Sequence, residues 1–264
     1  MPTVPCSVVV RARDEAARIG RCLELVRAQV GVAASELIVV DNGSRDRTAE
    51  IARSAGAAVL SMPSFSFGGA LNLGAERANG EIVVALSADA FASDPGWLAR
   101  LLEPFADPRV ACASGDRYRP DGSVLDERVV QDAALLRQYP EWGYSNGAGA
   151  FRAELWRRRP FRADLPGCED REWAAHWIRQ GYVCVIDPDL NLAHDHTHDP
   201  LPAIYRRARR EAQGFAMFLD PRPQPGLVRE WWSDTRFYGS PWRARLSHRR
   251  AARLLGAHAG RRRQ

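Results

Sequence analysis

Short continuous apolar runs and longer amphipathic stretches alternate along the first two thirds of the chain. The apolar runs predict strands at Cys6–Val10, Glu36–Val40, Ala58–Leu60, Glu81–Leu86, Val110–Ser114 and Tyr182–Ile186. The amphipathic stretches predict helices at Glu15–Val30, Asp46–Ala55, Ala70–Ala78, Asp94–Phe105 and Glu169–Gln180. The polar stretch 116–128 predicts a hairpin or flap.

This order predicts a fold of the α/β class. Strands that are apolar throughout, and that alternate with helices, favour a mostly parallel, Rossmann-like sheet covered by helices on both faces. Repeated proline at Pro221, Pro223 and Pro225 ends the pattern, because proline cannot continue a helix. We therefore expect a domain over residues 1–220 and an extension over residues 221–264.

Composition narrows the class of protein. With 264 residues and 45% hydrophobic content, the chain can bury a full core. Its five cysteines are dispersed and include no C-x-x-C pair, which predicts reduced thiols and a cytoplasmic location. We find no secretory apolar region and no run of the ~20 residues that a membrane span needs. The sequence thus predicts a soluble or peripherally attached protein.

Positive charge is concentrated in the extension. Residues 221–264 hold eleven arginines against Glu230 and Asp234, a net of +9, so the overall +5 leaves −4 for residues 1–220. Trp231, Trp232 and Trp242 lie among these arginines, a combination that suits an anionic membrane surface. Packing of the tail onto the body, or onto a second subunit of a homodimer, is the alternative. The acidic body disfavours nucleic-acid binding.

Polar residues follow the first two predicted strands. Arg11, Arg13 and Glu15 come after the first strand, and Asp41 opens the segment after the second. Ligands of open α/β sheets bind beyond the carboxyl ends of the strands, where a carboxylate can accept a base N–H and an arginine can meet phosphate. Asp41–Asp46 could equally form a turn and a helix cap.

A divalent metal site is predicted from two separate segments. Ser87, Ala88 and Asp89 follow a buried strand, and Asp89 offers the oxygen ligand that Mn²⁺ or Mg²⁺ prefers. Residues 194–199 read His-Asp-His-Thr-His-Asp, and an extended chain puts the three histidines on one face. Capping of the next helix is the alternative role for Asp89.

Paired acids open the last predicted helix of the body. Glu169 and Asp170 could supply a general base, although acids at a helix start also complement the helix dipole. Gly147-Ala148-Gly149 is not a dinucleotide fingerprint, because it lacks the third glycine and does not follow the first strand.

Taken in chain order, these segments resemble the family-2 glycosyltransferases of GT-A fold. The resemblance covers roughly residues 5–218, and the stretch Phe65-Ser66-Phe67-Gly68-Gly69-Ala70-Leu71-Asn72-Leu73-Gly74 is similar to the bacterial rhamnosyltransferase-like branch. It implies an inverting transferase that moves a sugar from a UDP-, dTDP- or GDP-linked donor to the hydroxyl of a sugar, lipid-linked or small-molecule acceptor. It further implies Mn²⁺ or Mg²⁺ as cofactor, and the basic tail suggests that the enzyme works at or near the inner face of a membrane.

The resemblance also implies roles for individual residues. Asp41 would contact the base, and Arg11, Arg13, Glu15, Gly68, Asn72, Ser87 and Ala88 would line the donor site. Asp89 would bind metal together with His196 or His198, although Ser87 stands where the family often has a second acid. Asp170 would be the base, with Glu169 beside it. A catalytically silent sugar-nucleotide-binding or scaffold protein is the rival interpretation, permitted by Ser87 and Gly69.

Overall fold

The computed structural model describes residues 5–32, 34–62, 64–192, 199–220, 226–227 and 247–261. Its strands are β1 (Cys6–Ala12), β2 (Ala34–Asp41), β3 (Ala58–Ser61), β4 (Ile82–Ser87), β5 (Val110–Ser114), β6 (Val129–Gln131), β7 (Ala148–Arg152) and β8 (Val183–Ile186). Its helices are α1 (Ile19–Arg27), α2 (Thr48–Ser54), α3 (Phe67–Arg77), α4 (Trp97–Leu102), α5 (Ala133–Gln138), α6 (Ala153–Arg158), α7 (Glu169–Arg179), α8 (Leu201–Ala216) and α9 (His248–Arg261). Short 3-10 turns span Glu103–Ala106 and Pro188–Leu190.

All eight strands form one sheet in the order β3-β2-β1-β4-β7-β5-β8-β6. The first four strands of that order are parallel, so their carboxyl ends meet at one edge of the sheet. β7 is antiparallel to both β4 and β5, and it joins this parallel half to the second half of the chain. The predicted α/β class is confirmed, with antiparallel pairs added by β6 and β7.

Helices cover both faces of the sheet, as predicted. Along β1, the side chains of Val8 and Val10 pack on one face with α1 and α4, while Val9 packs on the other with α3. A strand enclosed on both sides has no polar face, which explains its continuous apolar run. None of the described helices combines the length and hydrophobicity that a membrane crossing requires.

α9 packs against α8 with the two backbones in close approach. A Cβ atom on Gly256 would lie 2.3 Å from the carbonyl oxygen of Tyr205, and one on Gly260 would lie 2.3 Å from that of Arg209. The residue numbers of the contacts increase along both helices, so α8 and α9 run in the same direction. Part of the expected extension therefore rests on the body of the protein.

Candidate functional site

The loops that follow β1 and β2 interlock through their backbones. Asp14 adopts a left-handed conformation (φ 54°), its N–H donates to Ser44 Oγ (2.9 Å), and its Oδ1 accepts from the N–H of Arg45 (2.7 Å). The N–H of Glu15 donates to Thr48 Oγ1 at 2.7 Å. These bonds fix the two loops against each other at the edge where the parallel strands end.

A cavity of about 270 Å³ opens above these loops. It is lined by Arg11, Ala12, Arg13, Glu15, Val40, Asn42, Phe65, Phe67, Ser87, Ala88 and Asp89. Six residues predicted for donor or metal binding thus lie around one space, since the carboxyl ends of β1 and β4 are adjacent there. The cavity combines charged groups with two phenylalanine rings.

Asp41 lies at the end of β2, behind this cavity. Its side chain is buried, and Oδ2 accepts a hydrogen bond from the N–H of Ser44 at 3.2 Å. Oδ1 is buried as well, and it has no hydrogen-bond partner among the described residues. Because a buried acceptor is costly to leave unpaired, this oxygen is suited to a ligand N–H.

Asp89 and Glu15 both face the cavity. Burial raises the pKa of Glu15, and the charge of Asp89 raises it further, while Arg18 acts in the opposite direction. Within the described part of the chain, the carboxylate of Asp89 makes no hydrogen bond or ion pair. The predicted partners His196 and His198 lie outside the described residues, and the described ranges contain no cluster of three potential metal ligands.

Gly68 and Asn72 make contacts inside the protein. A Cβ on Gly68 would lie 2.4 Å from the carbonyl oxygen of Arg162. The Asn72 amide donates to the carbonyl oxygen of Phe161 (2.8 Å) and accepts from Trp156 Nε1 (2.9 Å) and from the N–H of Phe161 (3.0 Å). Both residues tie α3 to the segment before α7, and neither lines the cavity; a direct donor contact stays a prediction.

Glu169 and Asp170 begin α7, directly after Cys168 in a left-handed conformation (φ 63°). Asp170 Oδ2 accepts from the N–H of Asn146 (3.1 Å), and Oδ1 accepts from the N–H of Arg171 (2.8 Å). Each oxygen of the Asp170 carboxylate therefore has a backbone donor. The pair is therefore held firmly at a helix start.

Glu169, the first acid of the pair, has a different environment. Burial, and then the neighbouring charge of Asp170, raise the pKa of Glu169 to about 7, while Arg11 at 3.6 Å and the Asn146 side chain lower it. Arg11 also donates to the carbonyl oxygen of Asn146 at 3.0 Å. Arg11 thus connects the first cavity to the acid pair, a link between residues that are far apart in sequence.

A second cavity, of about 240 Å³, lies beside Arg171, the residue after the acid pair. Its lining is mainly polar and comprises Gly115, Asp116, Ser145, Ala148, Arg171, Leu190, Asn191 and Leu192. Ser145 and Ala148 line it, and Asn146 between them holds Asp170. Asp170 is thus linked through Asn146 to Arg11 of the first cavity, and it is followed in the chain by Arg171 of the second.

Sequence reasoning missed several residues of this region. Asn146 donates its N–H to Asp170 and accepts from Arg11 at its carbonyl oxygen. Phe67 lines the first cavity, and the guanidinium carbon of Arg210 lies 4.5 Å from the centre of the Phe67 ring. The aromatic pair in Phe65-Ser66-Phe67 was the available signal, since two phenylalanines so close to a glycine pair are unusual in a polar segment. No local pattern indicates Asn146 or Arg210.

Comparisons with known proteins fit this architecture. AglE of Haloferax volcanii, a glycosyltransferase, is 30% identical over 228 residues, which cover 79% of this chain and 72% of that protein. RfbN of Salmonella typhimurium, an O-antigen chain rhamnosyltransferase, is 24% identical over 189 residues, covering 65% and 60%. The chain also spans 20% and 29% of two other curated relatives.

A solved structure supports the same grouping. It is that of the mannosyltransferase PcManGT of Pyrobaculum calidifontis in complex with GDP-Man and Mn²⁺. The two proteins are 25% identical, the match covers 98% of this chain and 76% of the PcManGT chain, and the TM-score is 0.67. The expected GT-A fold is confirmed by this similarity. The model of "Glycosyl transferase family 2" matches residues 7–186. On this evidence the chain belongs to glycosyl transferase family 2.

Proposed function

We propose that this protein transfers a sugar from a nucleotide-diphosphate-sugar to an acceptor hydroxyl, with inversion at the anomeric carbon. The observation that carries the proposal is the set of contacts around Asp170: Asn146, which holds its carboxylate, also accepts from Arg11 of the first cavity, and Arg171, the next residue, lines the second cavity. One cavity would hold the donor and the other the acceptor. The glycosyltransferase and rhamnosyltransferase names of similar proteins, and the GDP-Man in PcManGT, support this interpretation.

The donor would lie along the carboxyl ends of β1, β2 and β4. The buried Oδ1 of Asp41 would accept an N–H of the base, because no described residue uses it. Arg11 and Arg13 would face the diphosphate in the 270 Å³ cavity. The donor would be a hexose or deoxyhexose linked to UDP, dTDP or GDP, since each of these bases carries an N–H for Asp41.

A divalent cation fits the same cavity. Asp89 presents a carboxylate that has no partner among the described residues, and Glu15 faces it with a raised pKa. Asp89 would hold Mn²⁺ or Mg²⁺, with His196 or His198 as a further ligand. When bound, the cation would offset negative charge on the departing diphosphate. The Mn²⁺ in the PcManGT complex supports this assignment.

Asp170 would act as the general base. Two backbone N–H groups hold its carboxylate in place, and a carboxylate can take the proton of an acceptor hydroxyl. The acceptor oxygen then bonds to the anomeric carbon as the bond from that carbon to the diphosphate oxygen breaks on the opposite side. Attack from the opposite side inverts the configuration of the sugar.

Glu169 is a second candidate for the base, because a pKa of about 7 suits proton transfer near neutral pH. Its buried position and its ion pair with Arg11 at 3.6 Å favour a supporting role. A silent sugar-nucleotide-binding protein, the rival interpretation, would bind the donor without needing Glu169 or Asp170.

Substitution of Asp170 by Asn tests the proposal. The amide keeps the shape but cannot accept the proton, so transfer should fall by roughly 100-fold to 10,000-fold while donor binding is kept. Turnover is measured across a panel of UDP-, dTDP- and GDP-sugars, and donor binding by calorimetry. Asp164→Asn, which changes a carboxylate with 60% side-chain exposure, is the matched control.

Three outcomes separate the interpretations. Loss of transfer in Asp170→Asn alone supports Asp170 as the base. Loss in Glu169→Gln alone, with Asp170→Asn near normal, assigns the base to Glu169. Donor binding by the wild-type protein without transfer or hydrolysis of any donor supports the silent binding protein.

A further inference from the structure

α8 carries a cluster of arginines, and Arg210 differs from the others in its surroundings. Arg206 is exposed to solvent, and Arg207 forms an ion pair with Asp199. Arg210 is half-buried, and no hydrogen bond or ion pair to it occurs within the described ranges of the chain. Its position calls for an explanation, because partial burial of a cation is unfavourable unless nearby negative charge offsets it.

Arg210 points towards the first cavity. Its guanidinium carbon lies 4.5 Å from the ring centre of Phe67, which lines that cavity. The guanidinium carbon of Arg11, a lining residue, lies 6.0 Å from the same ring. Two cations therefore share one aromatic ring at the rim of the cavity, an arrangement that stacking stabilises only modestly.

Glycines bring α8 close enough to place Arg210 there. A Cβ on Gly214 would lie 2.1 Å from the carbonyl oxygen of Gly167, so the helix backbone touches the segment just before α7. A Cβ on Gly167 would lie 3.4 Å from Cγ of Arg210. The stem of Arg210 thus crosses the start of α7, next to the acid pair.

The charges around Arg210 leave it without full compensation. Burial lowers its pKa, and the carboxylates of Glu211 and Glu169 act in the opposite direction. Glu169 already pairs with Arg11, and burial raises its own pKa to about 7, so its negative charge is only partial near neutral pH. An anion in the cavity would supply the missing countercharge.

We infer that Arg210 binds the diphosphate of the donor and stabilises the negative charge of the leaving group. The inference rests on the proposed function and deepens it, because it assigns part of diphosphate recognition to a residue outside the family match at 7–186. A guanidinium suits phosphate oxygens through paired N–H donors. Nucleotide recognition would then depend on α8 as well as on the strand ends.

A purely structural role is the alternative. Arg210 would then only stack on Phe67 and hold α8 against α7, without contact to any ligand. Its loss would disturb the cavity as a whole and would weaken nucleoside monophosphates as much as diphosphates. The number of phosphates in the ligand therefore separates the two roles.

Calorimetric titration tests the inference on the full chain with Mn²⁺ present. UDP, GDP and dTDP are titrated first to find which one the wild type binds, and the monophosphate of the same base follows. The variants are Arg210→Met, which keeps an apolar stem, Arg210→Lys, which keeps the charge, and the control Arg206→Met, which removes an equal charge from the exposed side of α8.

Arg210→Met should bind the diphosphate about tenfold or more weakly, as expected for loss of a hydrogen bond to a charged group, with the monophosphate nearly unchanged. Arg210→Lys should recover part of the loss, and Arg206→Met should match the wild type. Thermal unfolding checks that each variant is folded; should Arg210→Met unfold, Arg210→Lys and Arg210→Gln carry the comparison.

Equal diphosphate affinity in folded Arg210 variants and wild type overturns the inference and leaves the proposed function standing. Equal losses for monophosphate and diphosphate also overturn it, in favour of the structural role. Failure of the wild type to bind any of the three diphosphates refutes the proposed function itself, and the inference with it.

Discussion

Replacement of Glu169 by Gln should change how the stability of the protein depends on pH. Burial beside Asp170 raises the pKa of Glu169 from its usual 4.5 to about 7. The folded protein therefore holds a proton on this carboxyl between those two values, where the unfolded chain has released it. Since the folded state binds more protons, the free energy of unfolding must fall as pH rises through this window.

The structure gives the size of the effect. One pKa unit corresponds to ~1.4 kcal/mol, so a rise from 4.5 to about 7 implies a loss of roughly 3 kcal/mol from this group between acidic and mildly alkaline pH. Gln resembles the protonated acid and does not ionise. Glu169→Gln should match the wild type near pH 4.5 and exceed its stability by up to roughly 3 kcal/mol above pH 8.

Urea denaturation at several pH values between 4.5 and 8.5 measures the difference. Glu154→Gln is the matched control, because Glu154 is exposed on α6 and should leave the pH dependence unchanged. Parallel stability curves for Glu169→Gln and wild type across the range would show that Glu169 ionises as an ordinary carboxyl. That result would contradict a raised pKa for Glu169 in the folded protein.

Four further outcomes follow from the structure. Asp89→Ala should abolish turnover that Mn²⁺ or Mg²⁺ supports while the thermal unfolding temperature stays near that of the wild type; full activity would remove Asp89 from the metal site. Asp41→Ala should weaken nucleotide binding about tenfold, because a buried acceptor for the base is lost, and unchanged affinity would restore its role as a turn residue. Gly256→Ala should cost about 1–3 kcal/mol of unfolding free energy, since the new Cβ would lie 2.3 Å from a backbone oxygen, whereas Gly226→Ala, with nothing within 4 Å, should be neutral. If residues 221–264 attach the protein to membranes, it should float with anionic liposomes at low salt and detach at high salt, and absence from the floated fraction would leave packing as the role of this segment.

Strands were the best-predicted part of the fold, for a physical reason. Burial on both faces leaves a continuous apolar run that is visible in the sequence, and Val110–Ser114 was predicted to the residue. The helix predicted from Glu15 begins instead at Ile19, because the N–H of Glu15 bonds to Thr48 across the interlocked loops. Contacts between distant loops have no local signal.

The same limit applies to the candidate site. Residues at the carboxyl ends of strands could be predicted, since parallel strands bring their ends together, and Arg11, Ser87 and Asp89 do line one cavity. The predicted roles of Gly68 and Asn72 rested on resemblance, and their internal contacts emerge only when the segment at 161–162 is placed. Packing of the tail onto the body was one of the roles predicted from the sequence, and α9 does pack on α8.

The placement of β7 has a consequence for recombination between related genes. This strand pairs antiparallel with β4 on one side and with β5 on the other. Ser145 and Ala148, at and just before its start, line the second cavity, and Asn146 between them holds Asp170. A crossover within residues 88–109 would exchange whole halves, and the β4–β7 ladder is the strand pairing that would then join the two parents. A crossover within 145–152 would divide the strand that both halves share. We expect functional chimeras to retain β7 and Asp170 from one parent, and shuffled libraries screened for folding would reveal that bias.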